Sequence, residues 1–353
     1  MTDTAANMPG SVLAPAPVKP SFWANIPANK GLLYGVLFCF GYVVLIKALA
    51  PFLPVIAFAP DTGFAHYYWK LPDPTFWSHF TAWTGYILHQ VTVWGLIYWA
   101  QEKGLKYSDK LHPVNVAALA ANAGFVLLHL LQTHYFYDGL AQDTHIFSSQ
   151  GSVIVLLCMV LVMENQRRGL IAGKRAPFLQ EAGRALRKYH GYIFSWAVTY
   201  TFWYHPMESN YGHLMGTLYT TLIMVQGSLF FTRIHTNKYW MVLMEVTVLF
   251  HGTVVALMLA NGQWAQFFFG FLSMFVLTQM YGLGLPNWVR WAFWVFYVGS
   301  IVFVYQFVRG WEYVSEAFRV PAVLYALAFI IAFITWGILV VARALTLPKP
   351  ATA

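Results

Sequence analysis

The chain has 353 residues, of which 59% are hydrophobic, 18% aromatic and only 10% charged, with a mean hydropathy of +0.55. A soluble domain carries roughly 25% charged residues, so the composition excludes an ordinary globular protein and points to a polytopic membrane protein. The net charge of +8 does not mark a nucleic-acid partner, because the basic residues lie between apolar segments, where they set topology.

The N-terminal stretch, with Pro9, Pro15, Pro17 and Pro20, lacks the apolar core of a signal peptide and reads as a disordered tail over 1–28. A membrane span needs about 20 apolar residues. Ten stretches meet or approach that length, near 31–50, 76–100, 114–136, 147–164, 189–205, 212–232, 239–260, 264–284, 288–308 and 321–343. Two of them, 147–164 and 189–205, are short. The stretch holding Pro51, Pro54 and Pro60 cannot be a regular helix and reads as an interfacial or re-entrant piece on the outer surface. Residues 29–345 then form one transmembrane helical domain, and 346–353 a short cytoplasmic tail. Cys39 and Cys158 fall inside apolar stretches and read as packed thiols.

Counting Lys and Arg sets the orientation. With the N-terminus in the cytoplasm and each span reversing the side, seventeen of the 21 basic residues fall on the inner side. Only Lys47, Lys70, Arg309 and Arg319 fall outside. The expected architecture is therefore an all-α integral membrane bundle of about ten transmembrane helices with both termini cytoplasmic, in a bacterial inner membrane. The basic run over 165–188 reads as a positive-inside anchor.

Twelve histidines stand out in so apolar a chain, because an ionisable side chain within a span is costly and marks function by default. Topology sorts them by depth. His66, His79, His134, His145, His205 and His213 share the outer level with Asp73, Asp138, Asp143 and Glu208. His89, His129 and His251 lie deeper, and His112, His190 and His235 sit at the inner surface among basic residues, solvated or bonded to backbone. Asn115, Asn122 and His129 recur every seven residues, which puts them on one face of their helix. Such a face serves either helix–helix hydrogen bonding or a site. Glu245 reads as a carboxylate snorkelling to the inner surface or as a proton relay, and Glu164 as paired with Arg167 and Arg168.

Imidazole and carboxylate together make a transition-metal environment. His134, Asp138, His145, His205 and His213 are the candidate ligands of an outer-face metal, copper or iron before zinc, with His79 and Glu208 around them. The protein would then be a membrane oxidoreductase acting on a lipophilic or small apolar substrate. A b-type haem held by His89, His129 and His251 is the alternative, in an electron-transfer protein. A carrier, or an assembly subunit of a membrane complex, is a third reading. Besides the bilayer, an electron donor or a membrane-complex partner is expected. No HExxH, GxGxxG or phosphate loop is present.

Over about 80–260 the order of features resembles the transmembrane protein 45 family, a seven-helix group whose activity is undefined. His89-Gln90 stands where that family has a paired histidine, and Gln132-Thr133-His134 followed by His145 resembles its His-Thr-His cluster. Glu164 through Arg168, the run Val225-Gln226-Gly227-Ser228-Leu229-Phe230-Phe231, and Phe250-His251 are similar to further family features. Two of the paired histidines are Gln here, so the resemblance implies a histidine-bearing membrane fold without the family's full cluster.

Overall fold

The computed structural model describes residues 25–63, 65–258 and 262–346. The tails assigned to 1–28 and 346–353 lie outside these, apart from 25–28 and Thr346.

Among the described residues the chain forms ten α-helices and no strand: α1 Ala28–Leu49, α2 Phe76–Glu102, α3 Pro113–Phe136, α4 Ile146–Arg168, α5 Gln180–Tyr204, α6 Tyr211–Ser228, α7 Lys238–Met258, α8 Trp264–Leu277, α9 Asn287–Val304 and α10 Glu316–Thr346. In hydrocarbon each backbone N–H and C=O must be satisfied within the protein, which is why apolar stretches of this length become helices. Local chemistry sets several of the starts. Thr75 and Ser78 exchange side-chain and backbone bonds in a capping box ahead of α2. Pro113 opens α3, where its missing N–H is not needed. Asn210 caps α6 by accepting the His213 amide at 3.0 Å.

Among the described residues six helices are long and apolar enough to cross a membrane: Ala28–Phe52, Pro113–Phe136, Ile146–Arg168, Lys238–Met258, Asn287–Arg309 and Trp311–Leu345. The other four are α2, α5, α6 and α8. Polar side chains lower the hydropathy of the first three: α2 buries His89 and Gln90 and α6 buries Thr217, Thr221 and Ser228, while the first half of α5 carries exposed Arg184, Arg187 and Lys188. The fourth has 14 residues, about 21 Å at 1.5 Å per residue, against a hydrocarbon core of about 30 Å.

The helices differ from the apolar stretches in informative ways. The short stretches 147–164 and 189–205 become helices of 23 and 25 residues, because polar and basic turns extend them beyond the apolar core. The stretch 264–284 stops being α-helical at Leu277 and ends in a 3-10 turn over Gln279–Gly282. After Ala50–Phe52 the proline-bearing stretch carries no regular helix. A π-helical turn over Tyr305–Arg309 closes α9.

The connections between helices gather at two ends. One end brings the α5–α6 hairpin to the α3–α4 connection, where Tyr137 meets Glu208, and to the close of α7, where Met258 reaches Gly212. At the other, basic end, Ala28 bonds to Asp109 and Arg233 to Ser108 through backbone, and Lys238 reaches the Leu283 carbonyl. The helices pack around α5 and α6 on one side and α8 on the other. At Gly85 a side chain would meet Trp203 Cη2 at 2.1 Å, so glycine there lets the fully buried indole lie against α2.

One ion pair is buried between helices. Arg168 Nη1 lies 2.8 and 2.7 Å from the two Glu245 oxygens, with Arg168 3% exposed. Glu245 is therefore the partner of α4, not a carboxylate snorkelling to water, and among the described residues Glu164 forms its ion pair with Arg167.

Candidate functional site

The histidines divide according to whether their ring nitrogens are satisfied. His89 and His129 are fully buried. His89 Nε2 donates to Asn122 Oδ1 at 2.8 Å, because the Asn122 amide nitrogen is already committed to Ala118 O and Ser228 Oγ. His89 Nδ1 accepts the indole N–H of Trp203 at 3.1 Å, and its ring stacks on Phe125. His129 Nε2 donates to the His205 carbonyl at 2.8 Å. Its Nδ1 lies 3.0 Å from Gln132 Oε1, and the two bond once that amide is turned over to present its N–H.

Asn115 continues the series along α3, donating to the Ser228 and Phe230 carbonyls and accepting the His112 amide. The face Asn115–Asn122–His129 thus binds α3 to α2, α5 and α6. Buried polar groups satisfied in this way serve packing. Both nitrogens of His89 and of His129 are engaged, so this arrangement does not offer the haem ligands expected of them.

The rim residues are likewise engaged one by one. His134 sets both nitrogens against carbonyls, Nδ1 2.8 Å from Leu130 O and Nε2 3.2 Å from Leu49 O, and a neutral ring donates to one of the two. His145 is exposed and caps α4 through Nδ1. His79 meets Asp143 at 2.9 Å, where the Trp83 indole also donates. Asp138 accepts the Gly139 amide through Oδ1 while Oδ2 is buried without a partner. Burial pushes its carboxyl up to about 6, against the opposing pull of the Gly139 and Ser78 bonds and His79.

Glu208 accepts the Tyr137 hydroxyl. Burial, then that bond and the Glu208 charge, drive the phenol far above its ordinary range. Tyr137 holds a left-handed backbone at φ 43° to close α3, a strained setting for a non-glycine residue. The seven-residue metal set is thus not gathered at one point. Among the described residues no three His, Cys, Asp or Glu side chains stand where they could hold one metal ion.

What the fold does gather is His205, His213 and His251, from the α5–α6 hairpin, the first turn of α6, and α7. The His205 and His213 rings are 5.3 Å apart, nearly perpendicular. The three rings lie within electrostatic reach of one another. His251 packs on Gly216, where a Cβ would stand 2.9 Å from its Cε1. Trp69 sets its edge against His213 at 4.3 Å, and Tyr67 and Tyr204 enclose His205. Tyr67 OH is 2.6 Å from His205 Nδ1. Burial first, then the charges of His251 and His129, lowers His205 to about 3, so the ring is neutral at neutral pH.

The proton on His213 can be placed. Asn210 Oδ1 is held by the helix-capping bond, so its amide nitrogen is the group 2.8 Å from His213 Nδ1. Nδ1 accepts, and a neutral ring then carries its proton on Nε2. That Nε2–H is buried and has no partner among the described residues, and neither has His251 Nδ1. An unpaired buried donor costs about 1–3 kcal/mol, so the fold holds two unsatisfied ring nitrogens, one of them a donor, on histidines within electrostatic reach of each other.

The sequence separated these three residues into two layers and gave them to two different cofactors. It offered no signal for Tyr67, Trp69 or Asn210, which reach the group through tertiary contact. Of the residues that carry the family resemblance, His89 and Gln132 fall in the satisfied network and His251 in the unsatisfied group. No protein-family model, curated protein or solved structure matches this chain.

Proposed function

We propose that this is an integral protein of a bacterial inner membrane that crosses the bilayer ten times with both termini in the cytoplasm. Its working site is the His205–His213–His251 group near the outer face, which binds a small or lipophilic molecule through an oxygen atom. The observation that carries the reading is the buried, unpartnered pair His213 Nε2–H and His251 Nδ1. A carbonyl or hydroxyl oxygen accepts from the first, and a hydroxyl can also bond the second, as donor or as acceptor according to which His251 nitrogen carries the proton. Tyr67 and His205, bonded to each other at 2.6 Å, lie beside His213. The seventeen-to-four division of basic residues supports the topology.

The test is mass spectrometry of organic extracts from protein purified in mild detergent. A molecule bearing a carbonyl or hydroxyl should accompany the wild type, fall at least tenfold in His213→Phe and His251→Phe, and persist in His145→Ala. Identical extracts from all four proteins would overturn the reading.

A second reading is favoured by the spacing of two rings. Metal–nitrogen bonds of about 2.1 Å put an ion about 3.2 Å from each ring centre, so two imidazoles sharing a tetrahedral ion stand about 5.2 Å apart. His205 and His213 are 5.3 Å apart. A copper or iron ion there would supply oxidoreductase chemistry on the same molecule. It requires the Asn210 amide to turn over, so that His213 Nδ1 carries the proton and Nε2 presents a lone pair. Asn210→Asp, whose carboxylate accepts from both the backbone and Nδ1–H, should then raise metal affinity by tenfold or more.

A further inference from the structure

The basic end holds a second pair of histidines, His190 on α5 and His235 in the 3-10 turn Ile234–Thr236 between α6 and α7. Their ring centres are 6.1 Å apart with planes 33° from parallel. His190 Nδ1 is 2.7 Å from the Arg187 carbonyl, and His235 Nδ1 is 2.8 Å from the Gln226 carbonyl. A carbonyl oxygen only accepts, so each neutral ring has its proton on Nδ1 and a lone pair on Nε2.

No hydrogen bond among the described residues engages either Nε2, and neither atom is among the sealed, unpartnered ones. The His235 turn is pinned independently. Gln226 Nε2 donates to the His235 carbonyl at 2.8 Å, and the Trp240 indole fixes the same amide at 2.6 Å.

This is the setting in which histidine ligates metals: one ring N–H tied to a carbonyl, which fixes tautomer and orientation, and the other nitrogen free. We propose that His190 and His235 form a two-histidine site for a divalent transition ion (zinc, nickel or copper) that ties α5 to the α6–α7 connection. Two rings can share one ion when their centres are up to about 6.4 Å apart, twice the ring-to-ion distance of about 3.2 Å. The observed pair falls within that limit, and closing by about 1 Å brings it to the tetrahedral spacing. Glu164 is within electrostatic reach of His190 but is already paired with Arg167, and Arg187 and Lys188 oppose a cation, so the two imidazole nitrogens carry the affinity. Imidazole suits zinc, copper and nickel alike.

The experiment is titration of EDTA-stripped, detergent-solubilised protein with zinc chloride, followed by calorimetry and by thermal unfolding. The His213→Phe protein serves as the background, so that any ion at the other end is removed. That background should bind one zinc per chain and unfold at a higher temperature with zinc present. Adding His190→Gln or His235→Gln should weaken binding at least tenfold and abolish the thermal shift, while adding His145→Ala should change neither. Where a Gln variant does not fold, diethyl pyrocarbonate labelling of the folded background replaces it, and zinc should shield His190 and His235. Zinc binding that survives both Gln substitutions, labelling that zinc does not alter, or no binding at millimolar zinc would overturn the proposal. None of these outcomes bears on the extract experiment.

Discussion

Asp138 offers a prediction whose size follows from its surroundings. It is 3% exposed, with Oδ2 buried and unpartnered, and its carboxyl is raised from 3.8 to about 6. A carboxyl whose folded pKa is raised stabilises least when ionised. Below the unfolded value both states hold the proton and no penalty exists. As pH rises through the folded value the penalty becomes complete. Two pKa units correspond to about 3 kcal/mol, an upper figure for the change between pH 4 and pH 7.

Asp138→Asn keeps the bond to the Gly139 amide and removes the titration. The amide leaves its own unpartnered atom, a cost that does not vary with pH and so cancels from the trend. Thermal unfolding in detergent across pH 4.5–8 should show the variant gaining on the wild type as pH rises, by about 3 kcal/mol at most and with its midpoint near pH 5–6. A difference that is flat across this range, or that falls as pH rises, would refute the reasoning.

Three further outcomes follow from the packing. Trp203→Phe leaves His89 Nδ1 buried without its donor and should cost about 1–3 kcal/mol in chemical unfolding. Gly85→Ala pushes the same indole away and should cost about 1–3 kcal/mol through overpacking, with a change in tryptophan emission; unaltered stability in both would remove the satisfied network as a source of rigidity. Glu245→Gln strands the Arg168 charge and should destabilise by about 3–5 kcal/mol, whereas Arg168→Met with Glu245→Leu should recover most of that loss; a double variant no better than the single would show that the pair does more than neutralise itself.

The helices were largely legible in the sequence because hydrophobicity and length determine them, and the seven-residue step of Asn115, Asn122 and His129 placed one polar face on α3. The limits of α4, α5 and α8 were not, since apolar content marks the hydrocarbon core and helices need not end there. The division of the histidines was hidden for a different reason. Depth along a helix can be read from spacing, but which ring nitrogen meets which carbonyl depends on helix rotation. His134 looked like a ligand four residues from Asp138, yet its nitrogens fall on Leu130 and Leu49 carbonyls. His251 looked remote from the hairpin, yet Gly216 admits it beside His213. Arg168 was read against its sequence neighbour Glu164 because nothing local announces Glu245 on another helix.

The position of a single proton separates the two uses of the outer histidine group. Nitrogen-15 NMR of histidine-labelled protein, with His213 assigned by its absence in His213→Phe, should show the proton on Nε2 in the wild type and on Nδ1 in Asn210→Asp. A wild-type His213 protonated on Nδ1 would contradict the account, since the group would then present lone pairs inward and hold a cation in place of an oxygen acceptor.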